Sequence, residues 1–176
     1  NALSLSNGTV VSNAPQPSRS YTVAGASQLT MAAEGIAPLQ LAQLDTAAVF
    51  RLTLKSSAGE VAWTALKLSM TGGLFRHYRA KIWRDQDENG AYSSVNDVLL
   101  ATSPQVSASV ADLTGMNEVI GTTPKQYLVT ITPQISAAPG SAVSFTLASD
   151  TLFAVASPDA VPSQGFYAAS GVPITI

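Results

Sequence analysis

The sequence predicts an all-β protein, an antiparallel β-sandwich of Ig-like or jelly-roll-like kind with an extended N-terminal strand. Three observations carry this. Apolar residues recur at period two in one segment after another, as in "AVFRLTLKSS", where Phe50, Leu52 and Leu54 alternate with Val49, Arg51, Thr53 and Lys55. The segments are short and separated by Gly, Pro, Asn and Asp, the residues of turns. No stretch sustains a helical period, and a chain of 176 residues, 46% hydrophobic, suffices for one large sandwich core.

The N-terminal segment "NALSLSNGTVVSNAPQPSRSYTV" opens with Leu3 and Leu5 alternating with Ser4 and Ser6, then Val10 and Val11 beyond an Asn7-Gly8 turn signal. Pro15 and Pro17 forbid helix and disfavour a sheet interior, so "NAPQPSRS" reads as a tether. The division is therefore a strand and tether over 1–19 and a sandwich domain over 20–176. From Tyr21 onward the strand candidates are "QLTMAAE", "PLQLAQL", "AVFRLTLKSS", "VAWTALKLSM", "YRAKIWR", "DVLLAT", "QYLVTITP", "AVSFTLAS", "TLFAVAS" and "VPITI". In "VAWTALKLSM", strict alternation puts Trp63, Ala65 and Lys67 on one face and Leu66 and Leu68 on the other. The preceding "SAGE", with Gly59, reads as a hairpin turn. "SVADLTGM" is the one segment that suits a single helical turn.

Charged residues make up 11% of the chain, against about 25% in an average soluble protein, and Ser, Thr and Ala fill the gap. A surface this poor in charge has little self-repulsion, which favours packing against copies of itself or against neighbouring modules. A net charge of -2 argues against nucleic acid as a partner. No apolar run reaches the roughly 20 residues of a membrane-spanning helix, so no membrane insertion is expected. The chain starts at Asn1 with no basic-then-apolar leader and reads as a mature secreted or cell-surface form. It contains no Cys, which excludes disulfides, thiolate metal sites and a Cys nucleophile.

One stretch is dense in acidic side chains: "WRDQDENGAYSSVND", residues 83–97. Asp85, Asp87 and Asn89 alternate, Gly90 follows, and Asp97 closes it. In a tight loop such alternation turns side chains one, three and five toward a common point, the Gly allows a sharp reversal, and the next carbonyl, on Ala91, turns inward. Those hard oxygen donors suit Ca²⁺, and the candidate metal ligands are Asp85, Asp87, Asn89, Ala91 and Asp97. Glu88 is expected to point outward and Ser93 to supply a further oxygen. The plain alternative is a solvated turn, since Asp, Asn and Gly are ordinary turn residues. The loop resembles the first half of an EF-hand or dockerin loop, but the twelfth position is Asn96 and the carboxylate comes one residue later; its flanks, "AKIWR" and "DVLLAT", read as strands.

The blocks "FRLTLKSSAGEVAWTALKLSMTG", "KIWRDQDENGAYSSVNDVLLAT" and "YLVTITPQISAAPGSAVSFTLAS", with the closing "PITI", resemble a calcium-binding β-sandwich module of large bacterial extracellular and cell-envelope proteins. The resemblance spans about residues 40–176 and departs at "GLFRHYR". It implies Ca²⁺ at Asp85, Asp87, Asn89 and Asp97, with Tyr92 as the motif's aromatic, a structural or adhesive role, and no catalytic activity.

Other candidates read more plainly. His77, the single His, lies in a basic strip with Arg79 and Lys81 that reads as a solvated strand face over Ala80 and Ile82. Without a second His, a His-based zinc site is not expected. Asp112, Asp150 and Asp159 stand in isolated turn contexts. Trp63, Trp83, Tyr78 and Tyr92 would serve either as core packing or as a sugar-binding surface. Asn7 begins a glycosylation pattern, "NGT". The expectation for function is a non-enzymatic, secreted structural subunit that assembles with copies of itself into a filament or surface layer. Leu3, Leu5 and Val10 would be donated as a strand to the open sheet edge of a neighbour. The alternative is a calcium-stabilised adhesion or carbohydrate-binding module with a glycan as partner.

Overall fold

The computed structural model describes residues 26–147, 153–162 and 173–176 throughout, and residues 4–6, 9–11 and 169–170 as strand backbone. It is an all-β sandwich. The N-terminal segment carries two strands, β1 (Ser4–Ser6) and β2 (Thr9–Val11), paired with each other through Leu5 and Val10 and, among the described residues, sharing no ladder with the main sheets. Leu3 lies outside the described residues.

The first main sheet is antiparallel throughout. It is built from β3 (Leu29–Gly35), β4 (Ala47–Ser56), β6 (Tyr78–Arg84), β7 (Val98–Thr102) and β9 (Lys125–Pro133), in the order β3-β4-β9-β6-β7. The second is organised about the long strand β5 (Val61–Thr71). Along one side of β5 runs β8 (Val110–Ile120). Along the other run β10 (Ala142–Leu147) and then β11 (Phe153–Val155), while β12 (Ala169–Ser170) and β13 (Ile174–Thr175) pair with the far side of β10. The core between the sheets is led by Phe50, Leu52, Trp63, Leu66, Leu68, Phe75, Ile82, Leu113, Tyr127 and Phe145, all essentially solvent-free. Trp63 sits at its centre, edge-on to Tyr127 at 5.3 Å and stacked with Phe153 at 5.8 Å. Burying a side chain of this size contributes roughly 1.5–3 kcal/mol.

Four expectations need correction. "SAGE" is not a hairpin: β4 pairs with β3 and β9 whereas β5 pairs with β8, β10 and β11, so Ser57–Glu60 carries the chain from one sheet to the other. "PLQLAQL" forms no strand. It makes a single bridge, Gln40 to Thr175, before a turn, because Pro38 and the left-handed Leu44 break its extension. "SVADLTGM" is strand rather than helix and belongs to β8; the helical turn lies at Phe75–His77, within "GLFRHYR". His77 therefore lies on that turn and not on a strand face.

The fourth correction concerns Trp63. Strict alternation would set it opposite Leu66 and Leu68, yet all three are buried in the same core. A bulge restores the phase: Trp63 pairs with Glu118 but Ala65 with Thr114, so Thr64 stands alone against three residues of β8. Gly115 provides the reversal there with φ +77°, a conformation a side chain would strain. The same slip appears on the other side of β5, between Ala154 and Val155. Along β8, Ala111 and Leu113 before the bulge and Met116, Glu118 and Ile120 within and after it are all buried.

Because every pairing in the first sheet is antiparallel, the sandwich has two distinct poles. At the upper pole β4 and β6 end and β9 begins; the chain enters here at Ser27, whose amide donates to Asp159 Oδ1 (3.0 Å). At the lower pole β3 ends and β4 begins, β9 ends and β10 begins, and β13 closes against β10.

Candidate metal site

The acidic stretch lies at the upper pole and connects β6 to β7, which pair as a hairpin with Arg84 opposite Val98. Asp85 follows the last residue of β6, its amide donating to the carbonyl of Gln126 on β9 (3.1 Å), and Asp97 immediately precedes β7. Both are buried, at 3% and 7% exposure. Burial of two acidic side chains is uncommon without compensation, and here the loop's own amides supply part of it. Asp85 Oδ2 accepts from the Gly90 amide at 2.7 Å; Asp97 accepts from the amides of Ser93 (2.8 Å) and Gln86 (3.3 Å). Asp87, exposed, accepts from Asn89 Nδ2 at 2.9 Å and more distantly from Asn96 Nδ2 at 3.4 Å. Ser93 Oγ accepts from the amide of Asn96 at 3.2 Å, and Ser93 O from that of Asp97 at 3.0 Å, tightening the turn.

These bonds draw ligand oxygens of Asp85, Asp87 and Asp97 to within 4.8 Å of one another, a group that could hold a metal ion. Asn89 joins it through its amide, while its Oδ1 accepts from Ala91 N at 2.7 Å. Ala91 enters the loop's bonding through its N–H. Glu88 is exposed, as expected. The fit of the donor set to a cation rests on one atom: Asp85 Oδ1 is buried and has no hydrogen-bond partner. A carboxylate oxygen withdrawn from water with no donor is costly, and a hard cation is the partner that satisfies it without another proton. Burial, opposed by the Gly90 amide and reinforced by the carboxyls of Asp87 and Asp97, raises the Asp85 carboxyl above its ordinary value.

The loop folds back on the outer face of the first sheet. Tyr92 packs on Trp83 with ring centroids 5.1 Å apart, and Trp83 Nε1 donates to the buried Thr130 Oγ1 at 2.9 Å. Gly90, at φ +72°, lies against Arg51 so closely that a Cβ would fall 2.5 Å from Nη1. The left-handed backbone is what calls for Gly here, since the Arg51 terminus can swing aside.

Sequence reasoning missed the layer beneath. Glu118 is buried with Oε1 and Oε2 at 3.1 and 3.2 Å from Arg84 Nη1, accepts from Tyr127 OH at 3.1 Å, and lies 3.8 Å from Lys125 Nζ. Burial and the adjacent Glu118 push the Tyr127 hydroxyl far up, keeping it a donor. The signal available was Glu118 itself, a charge at a core-facing parity between Met116 and Ile120. Gln126 Oε1, on the strand that bonds the Asp85 backbone, is a second buried oxygen without a partner. A cleft of about 200 Å³ lined by Arg84, Asp85, Gln86, Glu88 and Lys125 opens beside the loop.

The remaining candidates fall outside this site. His77 Nδ1 meets Ser136 Oγ at 2.9 Å and Nε2 meets Arg76 Nε at 2.8 Å, at the lower pole. Asp112 faces Lys67 at 4.0 Å, Asp159 anchors Ser27, and Asp150 lies outside the described residues. Trp63, Trp83 and Tyr78 are buried, so their faces pack the protein rather than lie open to a sugar. Leu5 and Val10 are strand backbone in the N-terminal hairpin.

No family model and no curated protein matches the sequence. Among solved structures the chain is similar to AvmM, described as catalysing macrocyclization in alchivemycin A biosynthesis. The TM-score is 0.38 at 9% identity, over 98% of this chain and 91% of that one. A likeness of that size carries no argument about activity.

Proposed function

We propose that this chain is a calcium-stabilised, non-enzymatic structural subunit that works outside the cell and associates with copies of itself into a filament or surface layer. The observation that carries the calcium reading is the buried, partnerless Asp85 Oδ1 within the cluster of Asp85, Asp87 and Asp97. The ion takes that oxygen together with oxygens of Asp87 and Asp97, neutralises their mutual repulsion, and fastens the β6–β7 connection to the outer face of the sheet. Calcium at extracellular concentration is sufficient for a site of this class, whose affinities lie around 10⁻⁴–10⁻³ M. Self-association is supported by the low charge and by an N-terminal hairpin that, among the described residues, pairs with neither main sheet. Strand donation by residues 1–14 is the associated mechanism; β1 and β2 offer a two-stranded edge to a neighbour.

The test has two parts. Terbium titration, with Trp83 and Tyr92 as sensitisers, should give saturable luminescence that calcium displaces and magnesium does not; absence of displacement removes the calcium reading. Negative-stain microscopy of the purified chain with calcium should show polymers, and deletion of residues 1–14 should leave a folded monomer. The rival reading, a carbohydrate-binding or adhesion module, would instead give a monomer that binds glycans.

A further inference from the structure

The two poles differ in chemistry. The upper pole carries the acidic loop, Glu60 and Lys125. The lower pole is formed by residues 36–46, 72–77, 134–141 and 173–176, in which the charged side chains are Asp45 and Arg76. Three large apolar side chains there face water: Leu39 at 71%, Leu44 at 62% and Ile135 at 73% exposure. They belong to one surface. The Gln43 amide donates to the carbonyls of Ile135 (3.1 Å) and Ala137 (2.6 Å), the Leu44 amide to Pro133 O (2.8 Å), and Thr175 N to Leu39 O (2.9 Å). A cleft of about 360 Å³ lined by Gln40, Leu41, Ala42, Thr175 and Ile176 lies in the same surface. Leu44 is also held at φ +70°, a left-handed conformation that leucine rarely adopts. Burial does not hold it there, and an exposed apolar residue kept in an unfavourable backbone state points to a role outside the folded monomer.

The hairpin β1–β2 has the complementary deficit. It pairs only with itself among the described strands, and a lone two-stranded hairpin is marginal in water. No charged side chain occurs in the sequence before Arg19, so this segment suits a pole that carries few charges. The chain enters the body at Ser27, at the pole opposite Leu39, Leu44 and Ile135. Resting on the self-assembly reading above, we propose that the hairpin β1–β2 of one copy docks on the apolar lower pole of the next. The contact joins two different surfaces, so it repeats in one direction and grows an open filament instead of a closed dimer.

The experiment compares the full chain with Leu44→Asp and Ile135→Asp, using Val98→Asp on the outer strand β7 as an exposed apolar control, by sedimentation velocity and electron microscopy with calcium. Both pole variants should remain monomers with melting temperatures near that of the parent, while the control assembles normally. The chain has no Cys, so Ser6→Cys and Ser136→Cys single variants can be mixed: an oxidised heterodimer should form in the mixture. If the pole variants polymerise as the parent does and no heterodimer forms, while deletion of residues 1–14 abolishes assembly, the docking surface is wrong and self-assembly stands. If the parent stays monomeric at every concentration, self-assembly itself fails and the docking proposal falls with it.

Discussion

Asp85→Asn keeps the shape of the side chain and an acceptor for the Gly90 amide, but removes one charge from a group whose ligand oxygens lie within 4.8 Å of each other. At that separation two unit charges repel by about 3.5 kcal/mol at an effective dielectric near 20, and by about 1 kcal/mol in bulk water. Asp85 and Asp97 are buried in a loop open to solvent on one side, so their pair falls between these limits, at roughly 2 kcal/mol. In chelator the Asn variant should therefore be more stable than the parent by about 2 kcal/mol, or about 4–8 °C for a chain of this size. Calcium should reverse the order. A site of Kd about 10⁻⁴ M at 10 mM free ion stabilises by about 2.7 kcal/mol, which is about 5–11 °C for the parent. The variant, short of one charged ligand, should keep little of that gain. Thermal unfolding by circular dichroism, with chelator and with calcium for both proteins, yields the four numbers. The reasoning is refuted if Asp85→Asn is the less stable protein in chelator, or if the parent melts at one temperature in both conditions.

Gly90→Ala combines a left-handed backbone with a Cβ 2.5 Å from Arg51 Nη1; it should cost about 1–2 kcal/mol in urea unfolding and weaken terbium binding. Glu118→Ala leaves the buried Tyr127 hydroxyl without its acceptor and should cost about 2–3 kcal/mol, while Tyr127→Phe, which leaves Glu118 still bonded to Arg84, should cost about 1 kcal/mol in the same assay. The raised Asp85 carboxyl sets a pH dependence for the chelated protein. The folded state holds that proton more tightly than the unfolded chain, so this group's contribution is fully favourable below the ordinary carboxyl value of 3.8 and is lost as pH rises through the folded value. Metal-free stability should therefore improve on acidification toward that window, whereas the increment from calcium should shrink as protons compete for the same oxygens. Melting curves at stepped pH, with and without calcium, measure both slopes.

The fold was legible wherever alternation held. "YRAKIWR" matches β6 residue for residue, with Ala80 and Ile82 inward and Arg79 and Lys81 outward, because a half-buried strand writes its two faces directly into sequence. It was illegible where pairing partners decide the outcome. Nothing local to "SAGE" states that β4 and β5 join opposite sheets, since a turn and an arch use the same residues. "SVADLTGMNEVI" hid a strand because its bulge breaks the period at Gly115. At the site, the spacing of Asp85, Asp87 and Asp97 in a loop around Gly90 foretold their convergence, since those residues are close in sequence. Arg51, Glu118, Gln126 and Tyr127 come from β4, β8 and β9, and only the tertiary arrangement brings them beneath or beside the loop.

The bulge in β5 makes Thr64 a position defined by number rather than by kind. Its side chain reaches only a carbonyl, that of Ala154, at 3.0 Å, so most replacements there should pass unnoticed. Excising it would rotate Trp63 out of the interior, away from Tyr127 and Phe153, and leave a void at the middle of the molecule. A scan by substitution would therefore rank this site among the most permissive in the strand, and a scan by single-residue deletion among the least.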